Sequence, residues 1–376
     1  MRRGSYNRDC EARRLLPASP RQAMELMEAM ARSGHERVVA ALDERSGLRA
    51  WIALHNTRRG PTYGGIRIWR YRDEEEAAAD ALRLSRAMTW KCVLAGVAGG
   101  GAKTVVMGDR ILDRPAAMAA LGRHIESLGG VYRAGPDIGF TEADRRALAA
   151  ETRWLAHHGD RLRPAGEATA EGAEWGLRAA LRAVRGSDAL RGVTVAVQGL
   201  GSVGLALARR LLAAGARVIG ADTNPEAAQE AAVAGVEVVD AGRIHEVEAD
   251  VFAPCALGGT LHDVSIPRLS GKVVAGCANN VLARPEHAHL LQRRGVLYVP
   301  DFVLNSGALI EGAGYERTGR TDWSAELRRI GETVAAVIQR ARSEHVTTVE
   351  AALRMAQEIL DRERQSIRGL PAERSA

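Results

Sequence analysis

Lysine is the scarcest basic side chain in this sequence, and two of its three lysines lie close together. The chain has 52 lysines and arginines, of which only Lys91, Lys103 and Lys272 are lysine. The first two flank a glycine-rich segment. A lysine amine can release a proton once burial lowers its pKa, whereas a guanidinium stays charged in proteins. We therefore expect Lys91 and Lys103 to carry out chemistry that arginine cannot, and we assign no role to Lys272.

A glycine-rich motif in the second half of the chain predicts a dinucleotide site. It lies between a strand-like run and a helix-like run and consists of Gly199, Leu200, Gly201, Ser202, Val203 and Gly204. Its glycines permit a tight turn, close approach of a pyrophosphate, and close packing of helix on strand. Asp222, about 20 residues further on, would accept a hydrogen bond from an adenosine ribose and repel a 2′-phosphate. The motif therefore favours NAD over NADP.

The elements that must position the lysines are those of an α/β protein. The first half predicts a helix followed by polar turns over 20–49, a strand over 50–54 and a helix over 74–90. A strand over 103–107, a helix over 115–129 and a strand with a loop over 131–140 follow. The second of these helices delivers Lys91, and the strand after it begins at Lys103. The last loop holds Asp137.

The second half of the chain predicts a doubly wound Rossmann domain. Beyond a polar segment at 157–166, strands alternate with alanine-rich helices, and these strands lie at 193–197, 217–221, 236–239, 251–254, 273–275 and 297–299. Such alternation is typical of a parallel sheet with helices on both faces. We predict two α/β domains separated by a cleft: a substrate and oligomerisation domain, residues 1–155, joined by a C-terminal helix from 346–376, and an NAD-binding Rossmann domain, residues 156–345.

Composition argues against several classes of protein. No apolar run approaches the roughly 18 residues of a membrane span, and the N-terminus lacks the apolar core of a secretion signal, so we expect a cytoplasmic protein. The net charge is +6, but the arginines alternate with acids and aromatic residues form only 4% of the chain, which is unlike a nucleic-acid-binding surface. The four cysteines are far apart, and His287 and His289 read as surface residues. We therefore expect no disulfide framework and no metal.

Four blocks in the first half resemble, in order, the signatures of the glutamate, leucine, phenylalanine and valine dehydrogenases. They are Tyr63-Gly-Gly-Ile-Arg67, Met88-Thr-Trp-Lys91, Gly99-Gly-Gly-Ala-Lys103 and Gly135-Pro-Asp137-Ile-Gly139. The resemblance continues through the nucleotide domain in blocks that begin at Val197, Phe252, Ala275 and Pro300. The pattern is most similar to the leucine dehydrogenase branch of this family.

The resemblance implies a task for each of the paired lysines. Lys91 is expected to bind the substrate α-carboxylate, and the backbone of Gly64 and Gly65 to lie against the substrate. Lys103 and Asp137 are expected to form the catalytic pair. Oxidative deamination needs proton transfers at one carbon, which a lysine in a closed cleft can perform. Asp137 is alternatively a loop cap.

The same resemblance implies further contacts with the cofactor. Thr169 and Asn305 match positions that contact the nicotinamide in relatives. Asn279 and Asn280 match positions near the cofactor. For Asn305, a turn residue at a strand end is the alternative interpretation.

The side-chain pocket is the part of the site that the resemblance defines least. Val334 and Val337 match pocket-wall positions. Tyr63 stands where glutamate-specific relatives carry a lysine, which argues against glutamate as substrate. Its ring either narrows the pocket for a small branched side chain or stacks on an aromatic one.

Together these features predict an NAD-dependent L-amino-acid dehydrogenase that converts an apolar, branched-chain amino acid to its 2-oxo acid and ammonia. Aromatic substrates are one alternative. A catalytically silent NAD-binding relative with a regulatory role is another, and a nucleic-acid binder is the weakest. We expect a homo-oligomer whose ligands are small molecules, with neither nucleic acid nor membrane as a partner.

Overall fold

The structure, a computed structural model, describes residues 20–156 and 161–368. Within them the chain forms two β-sheets, each covered by helices. The predicted linker at 157–166 lies partly outside the described residues, as do the N-terminal segment and the tail from Gly369. No described helix is long and apolar enough to cross a bilayer.

The first sheet has five strands in the order β1-β2-β4-β3-β5. Their bounds are Arg37–Asp43, Leu48–Leu54, Thr62–Trp69, Gly100–Met107 and Tyr132–Pro136 for β1 to β5. Strands β3, β4 and β5 run parallel, while β2 is antiparallel to both β1 and β4. Every residue of the central strand β4 is buried. The helices of this half are α1 (Pro20–Ser33), α2 (Glu74–Leu94), α3 (Arg114–Ser127) and α4 (Glu142–Ala149).

Helix α2 places Lys91 in its last turn. The Asp73 side chain caps the helix by accepting a hydrogen bond from the Glu76 amide, and three glutamates occupy the first turn, where the helix dipole favours negative charge. The helix runs one turn further than predicted because its last residues, Cys92 to Leu94, are buried. Burial of this end is what carries Lys91 into the interior.

Two elements of the first half differ from the sequence prediction. The prediction of polar turns across 37–43 is wrong: this segment is strand β1, which lies at the sheet edge and is held by its antiparallel pairing with β2. Helix α4 was not predicted. Thr141 and Asp144 form a reciprocal capping box at its start, which is a local signal in the sequence.

The second sheet confirms the predicted doubly wound architecture. Its six parallel strands have the order β11-β10-β9-β6-β7-β8. The bounds of β6 to β11 are Thr194–Gln198, Arg217–Ala221, Glu237–Val238, Val251–Pro254, Val273–Val274 and Leu297–Tyr298. The chain moves outward from β6 in one direction and from β9 in the other. Ligands of such sheets bind at the carboxyl ends of the strands where the order reverses, here between β6 and β9.

The helices of the second half complete the cleft. They are α5 (Ala165–Arg185), α6 (Ser202–Ala213), α7 (Pro225–Val233), α8 (His287–Arg293), α9 (Asp301–Leu304), α10 (Gly307–Thr318), α11 (Ser324–Glu344) and α12 (Thr348–Arg368). The final helix, α12, packs against α11 and returns to α2 of the first domain, as predicted. Its Glu363 forms an ion pair with Arg59.

The prediction that both histidines of the 287–289 motif lie at the surface is wrong for His287. Helix α8 points the two rings in different directions, and His287 is only 2% exposed. Its Nδ1 accepts a hydrogen bond from the Arg284 amide, and its Nε2 lies 3.3 Å from an Asp263 carboxylate oxygen. His289 remains half exposed.

Candidate active site

Three adjacent strands bring the predicted catalytic pair together. Lys103 lies on the central strand β4, and Asp137 follows β5, on the other side of β3. Lys103 Nζ is 2.6 Å from Asp137 Oδ2. On β3 between them, a Cβ added to Gly65 would lie 2.8 Å from Asp137 Cβ and 3.3 Å from Lys103 Nζ. A side chain at Gly65 would therefore fill the space beside the pair.

An arginine that the sequence analysis did not single out holds the other side of Asp137. Arg67 Nε donates to Asp137 Oδ2 at 3.0 Å, and its Nη1 donates to Asp80 at 3.3 Å. The Tyr71 hydroxyl donates to the same Asp80 carboxylate at 2.8 Å. Arg67 belongs to the Tyr63–Arg67 block, but as one of 49 arginines it gives no compositional signal. Asp137 is thus held by two cations.

Burial and charge act in opposite directions on the catalytic pair. Burial lowers the pKa of the Lys103 amine, and although Asp137 raises it, the net pKa lies below the ordinary value of lysine. Burial raises the pKa of Asp137, but Lys103 and Arg67 outweigh it and hold the net pKa below the usual range. The pair therefore combines a stable carboxylate with an amine that loses its proton more readily than an exposed lysine.

Lys91 bridges the two domains. Its Nζ donates to Asn305 Oδ1 at 2.7 Å, and the Asn305 amide donates in turn to Asn279 Oδ1 at 2.7 Å and to the Cys277 carbonyl at 3.2 Å. Burial lowers the pKa of Lys91 to about 8, while the nearby Asp301 carboxylate raises it and Lys103 lowers it further. The charges of Lys91 and Lys103 therefore lie near each other, and Asn305 contacts both Lys91 and Asn279.

The glycine-rich turn has the geometry that a pyrophosphate requires. Gly199 adopts a φ of +89°, and an added Cβ would lie 2.7 Å from Ala256 Cβ. A Cβ at Gly204 would overlap the Gly199 carbonyl, so helix α6 and strand β6 can pack closely only with glycine. At Gly201 nothing among the described residues lies within 4 Å, and no side chain caps α6 there. The open helix N-terminus fits an anionic group.

Asp222 lies beside this turn. One carboxylate oxygen accepts from the Leu200 amide at 2.7 Å, and the other accepts from the Asn224 amide at 2.7 Å. These bonds orient the carboxylate and leave lone pairs on each oxygen for a further donor. Asp222 therefore stands next to the nucleotide turn with a fixed orientation.

Family models match both halves of the chain. Residues 35–158 match the Glu/Leu/Phe/Val dehydrogenase dimerisation domain, and residues 221–366 match the Glutamate/Leucine/Phenylalanine/Valine dehydrogenase model. Residues 157–256 match the NAD binding domain of D-isomer specific 2-hydroxyacid dehydrogenases. Leucine dehydrogenase from Geobacillus stearothermophilus is 40% identical over 352 residues, which cover 91% of this chain and 95% of that protein. The chain belongs to the Glu/Leu/Phe/Val dehydrogenase family.

Relatives named for aromatic substrates are nearly as similar to this family member. Phenylalanine dehydrogenase from Lysinibacillus sphaericus is 37% identical over 88% of this chain and 89% of its own length. The crystal structure of L-tryptophan dehydrogenase from Nostoc punctiforme superposes with a TM-score of 0.79 at 35% identity, covering 90% of this chain and 99% of that one. Overall similarity therefore does not distinguish aliphatic from aromatic substrates.

Tyr63 lies on the same face of β3 as Gly65, because the two are separated by two positions along a strand. Its side chain is 3% exposed, and its ring carbons lie 2.6 and 2.9 Å from the position of an added Cβ at Gly99. The Tyr63 hydroxyl has no hydrogen-bond partner among the described residues. A buried hydroxyl without a partner is rare, and it marks a position where a ligand or water can bind.

The remaining predicted residues lie in the second domain. Thr169, on α5, donates its hydroxyl to the Ala165 carbonyl at 2.9 Å and is 7% exposed. Asn279 and Asn280 are exposed, and Asn280 adopts a φ of +52°. On α11, Val334 and Val337 are both buried, and Val334 packs against Gly176 of α5. The pocket-wall role of the two valines stays a prediction.

Proposed function

We propose that this family member catalyses the NAD-dependent oxidative deamination of branched-chain L-amino acids. The reaction consumes the amino acid, NAD⁺ and water and yields the 2-oxo acid, ammonium, NADH and one proton. The observation that carries the proposal is the buried Lys103–Asp137 pair, in the cleft that Lys91 and Asn305 bridge. An amine and a carboxylate in contact, beside a second cation, are what proton transfer at a substrate carbon needs.

Lys91 binds the substrate carboxylate. Its pKa of about 8 keeps it protonated at neutral pH, so it presents a cation to an anionic group. The flexible lysine then exchanges part of its contact with Asn305 for the substrate oxygen atoms. Gly65 leaves room for the substrate Cα beside Lys103, because a side chain there would enter this space, whereas a side chain at Gly64 would overlap the Ala102 carbonyl of β4.

Lys103 transfers the protons. Bound NAD supplies the acceptor for the hydride that leaves the substrate Cα. The neutral Lys103 amine then takes a proton from the water that adds to the resulting imine carbon. It returns this proton to the substrate nitrogen, and as the C–N bond breaks and ammonia leaves, it takes the remaining hydroxyl proton so that the C=O bond of the 2-oxo acid forms. Asp137 stabilises the protonated amine, and Arg67 prevents Asp137 from turning away.

The cofactor is NAD rather than NADP. The open turn at Gly201 accommodates the pyrophosphate, and the oriented carboxylate of Asp222 accepts from a ribose hydroxyl but repels a 2′-phosphate. Thr169, Asn279, Asn280 and Asn305 would contact the nicotinamide end of the cofactor. Asn305 thereby links the cofactor to Lys91, the substrate-binding lysine.

An aromatic substrate is the second candidate, and Tyr63 is the observation that favours it. Its buried ring lies on the face of β3 that carries the catalytic pair, where it can stack on an aromatic side chain. The same ring volume shortens an aliphatic pocket, which favours valine over leucine. We place small branched substrates first because the shortened pocket fits them and because leucine dehydrogenases are among the relatives with 40% identity.

The chain is proposed to assemble with copies of itself through the first domain. The matched dimerisation domain spans residues 35–158. Strand β1 lies at the edge of the sheet with unpaired backbone groups on its outer side, and Leu42 on it is 55% exposed. The domain boundaries at 155 and 345 belong to this proposal, and a molar mass from light scattering tests the assembly.

A panel assay tests the proposed reaction. Purified protein, NAD and single L-amino acids are mixed, and reduced cofactor is followed by absorbance, with NADP in parallel. We expect turnover with valine, leucine and isoleucine, weaker turnover with phenylalanine and tryptophan, and none with glutamate. NAD binding without any turnover would instead identify a regulatory relative.

A further inference from the structure

Two cysteines lie side by side at the carboxyl end of the second sheet. Cys255 directly follows β9, and Cys277 follows the neighbouring parallel strand β10. The two segments stay adjacent beyond the strands, because the Ala278 amide donates to the Pro254 carbonyl at 2.9 Å. The two side chains are close enough for each to shift the pKa of the other. Both are free thiols.

This thiol pair lies between the nucleotide turn and the substrate lysine. The Cys255 amide donates to the Gln198 carbonyl at 2.7 Å, and its Cβ is 3.2 Å from the position of an added Cβ at Gly204. On the other side, the Cys277 carbonyl accepts from Asn305, the partner of Lys91. The pair therefore lies beside the point between β6 and β9 where the strand order reverses, which is where dinucleotides bind.

The two thiols differ in access and acidity. Cys255 is partly exposed, whereas Cys277 is buried. Their mutual interaction lowers the pKa of Cys255 and raises that of Cys277. Because Cys255 is the partly exposed member of the pair, we expect a reagent to reach its thiol first and Cys277 to act as the second nucleophile.

We propose that Cys255 and Cys277 form a reversible disulfide when the protein meets a small-molecule disulfide, and that bound NAD protects them. The Cys255 thiolate attacks one sulfur of the reagent, breaks its S–S bond and releases one thiolate. Cys277 then attacks the Cys255 sulfur and expels the second thiolate. The protein loses two electrons and two protons, and the reagent gains them as two thiols.

The inferred consequence is a cofactor site that responds to redox conditions. If bound NAD disfavours the disulfide at equilibrium, then oxidation must weaken NAD binding by the same factor, because linkage between equilibria is reciprocal. Protection of the thiols by NAD rests on the proposed function. Formation of the disulfide depends only on the position of the two thiols.

Cys92 provides a matched control. It is buried in α2, donates to the Gly100 carbonyl at 3.4 Å, and burial raises its pKa to about 12. None of the other described cysteines forms a thiol pair with it. We expect Cys92 to stay reduced under conditions that oxidise the pair.

Peptide mapping tests the proposal. The full chain is incubated with oxidised glutathione, with and without NAD, then alkylated, digested with trypsin and analysed by mass spectrometry. Trypsin separates the two thiols into peptides 244–268 and 273–293, and Cys92 into 92–103. We expect the first two peptides to be linked, the link to form several-fold more slowly with saturating NAD, and dithiothreitol to restore NAD affinity.

Single substitutions distinguish the two roles. Cys277→Ser should leave Cys255 as a persistent mixed disulfide with glutathione, whereas Cys255→Ser should leave Cys277 unmodified. Absence of the linked peptides in the unsubstituted protein would overturn the proposed disulfide. If calorimetry confirms that NAD is bound and the disulfide still forms at the same rate, the proposed protection by NAD is wrong. Failure of NAD to bind would contradict the proposed function, while the linked peptide still decides the thiol pair.

Discussion

Protonated Lys103 and the arginines of this chain carry the same charge, but only the lysine can lose its proton inside the cleft. Its Nζ is 2.6 Å from Asp137, and burial lowers its pKa. The proposed proton transfer therefore depends on this one atom. Lys272, the third lysine, is exposed and lies outside the site, so it offers a control of the same residue type.

Lys103→Arg is expected to lower kcat for deamination by roughly 10²–10⁴-fold, the range for loss of a general acid or base. NAD affinity should stay unchanged, because Lys103 does not contact the nucleotide turn. Lys272→Arg should leave all parameters unchanged. Steady-state kinetics with calorimetric NAD binding measures both. Retention of kcat in Lys103→Arg would disprove the proton-transfer role.

Asp222→Asn tests cofactor choice. The asparagine keeps one oxygen to accept from the Leu200 amide but loses the negative charge. We expect kcat/KM with NADP to rise at least about 10-fold relative to NAD, since a 2′-phosphate is no longer repelled. Asp240→Asn is the control, because Asp240 also accepts from a backbone amide. An unchanged NADP to NAD ratio would show that Asp222 does not discriminate.

At the level of elements, two buried histidines join α1 and β2 to α2. The His35 Nε2 lies 2.8 Å from the Ser85 hydroxyl, and the His55 Nδ1 lies 2.8 Å from the Thr89 hydroxyl. Burial lowers the pKa of each ring from 6.5 to about 4, and the neighbouring Arg86 adds to the effect. Both rings are therefore neutral in the folded protein at pH 7.

This pKa depression predicts a loss of stability in weak acid. Below pH 6.5 the unfolded chain binds protons at these histidines while the folded chain does not, so stability declines as the pH falls from about 6.5 to about 4. The full effect is on the order of 3 kcal/mol for each histidine. Carboxylates with lowered pKa, such as Asp144, lose their contribution only below this window.

His55→Gln should remove part of that pH dependence. Urea unfolding at pH 7, 5.5 and 4.5 should show a smaller decline in unfolding free energy for the variant than for the unsubstituted protein. His289→Gln, which replaces a half-exposed ring, should decline as the unsubstituted protein does. Equal slopes for all three proteins would exclude His55 as the titrating group.

At the scale of the whole molecule, polar contacts among the described residues join the two domains. Lys91 with Asn305 lies inside the cleft, Arg133 with Glu316 lies nearer its rim, and the Thr333 hydroxyl donates to the Leu94 carbonyl. Arg59 with Glu363 joins α12 to the rest of the first domain. Arg133 also stacks on the Trp154 ring. We expect these contacts to favour the closed form of the cleft, which holds the bound substrate.

Glu316→Gln is expected to weaken the closed form. Loss of a partly buried ion pair costs about 1 kcal/mol, which corresponds to a rise of about 5-fold in the KM of the amino acid with little change in kcat. Glu326→Gln removes a pair with Arg320 within the second domain and should leave KM unchanged. Equal KM values for both variants would mean that the Arg133–Glu316 contact does not restrain opening.

Local and periodic features of the sequence predicted much of this protein. The glycine spacing, the alternation of strands with helices and the paired lysines indicated a Rossmann domain, a second domain and a cleft. These features act within a few residues, so they are readable without a structure. The edge strand β1 was missed because its conformation comes from hydrogen bonds to β2.

The tertiary structure decided what depends on residues distant in sequence. Lys91 and Asn305 are 214 positions apart, and Arg67 reaches Asp137 across 70 positions, so no local pattern reveals either contact. The same holds for the Cys255–Cys277 pair, whose members looked too far apart to interact. The amino-acid sequence by itself determined which residues could do chemistry, because chemistry follows side-chain type. Only the packing of two domains decided their distances, their burial and therefore their pKa values.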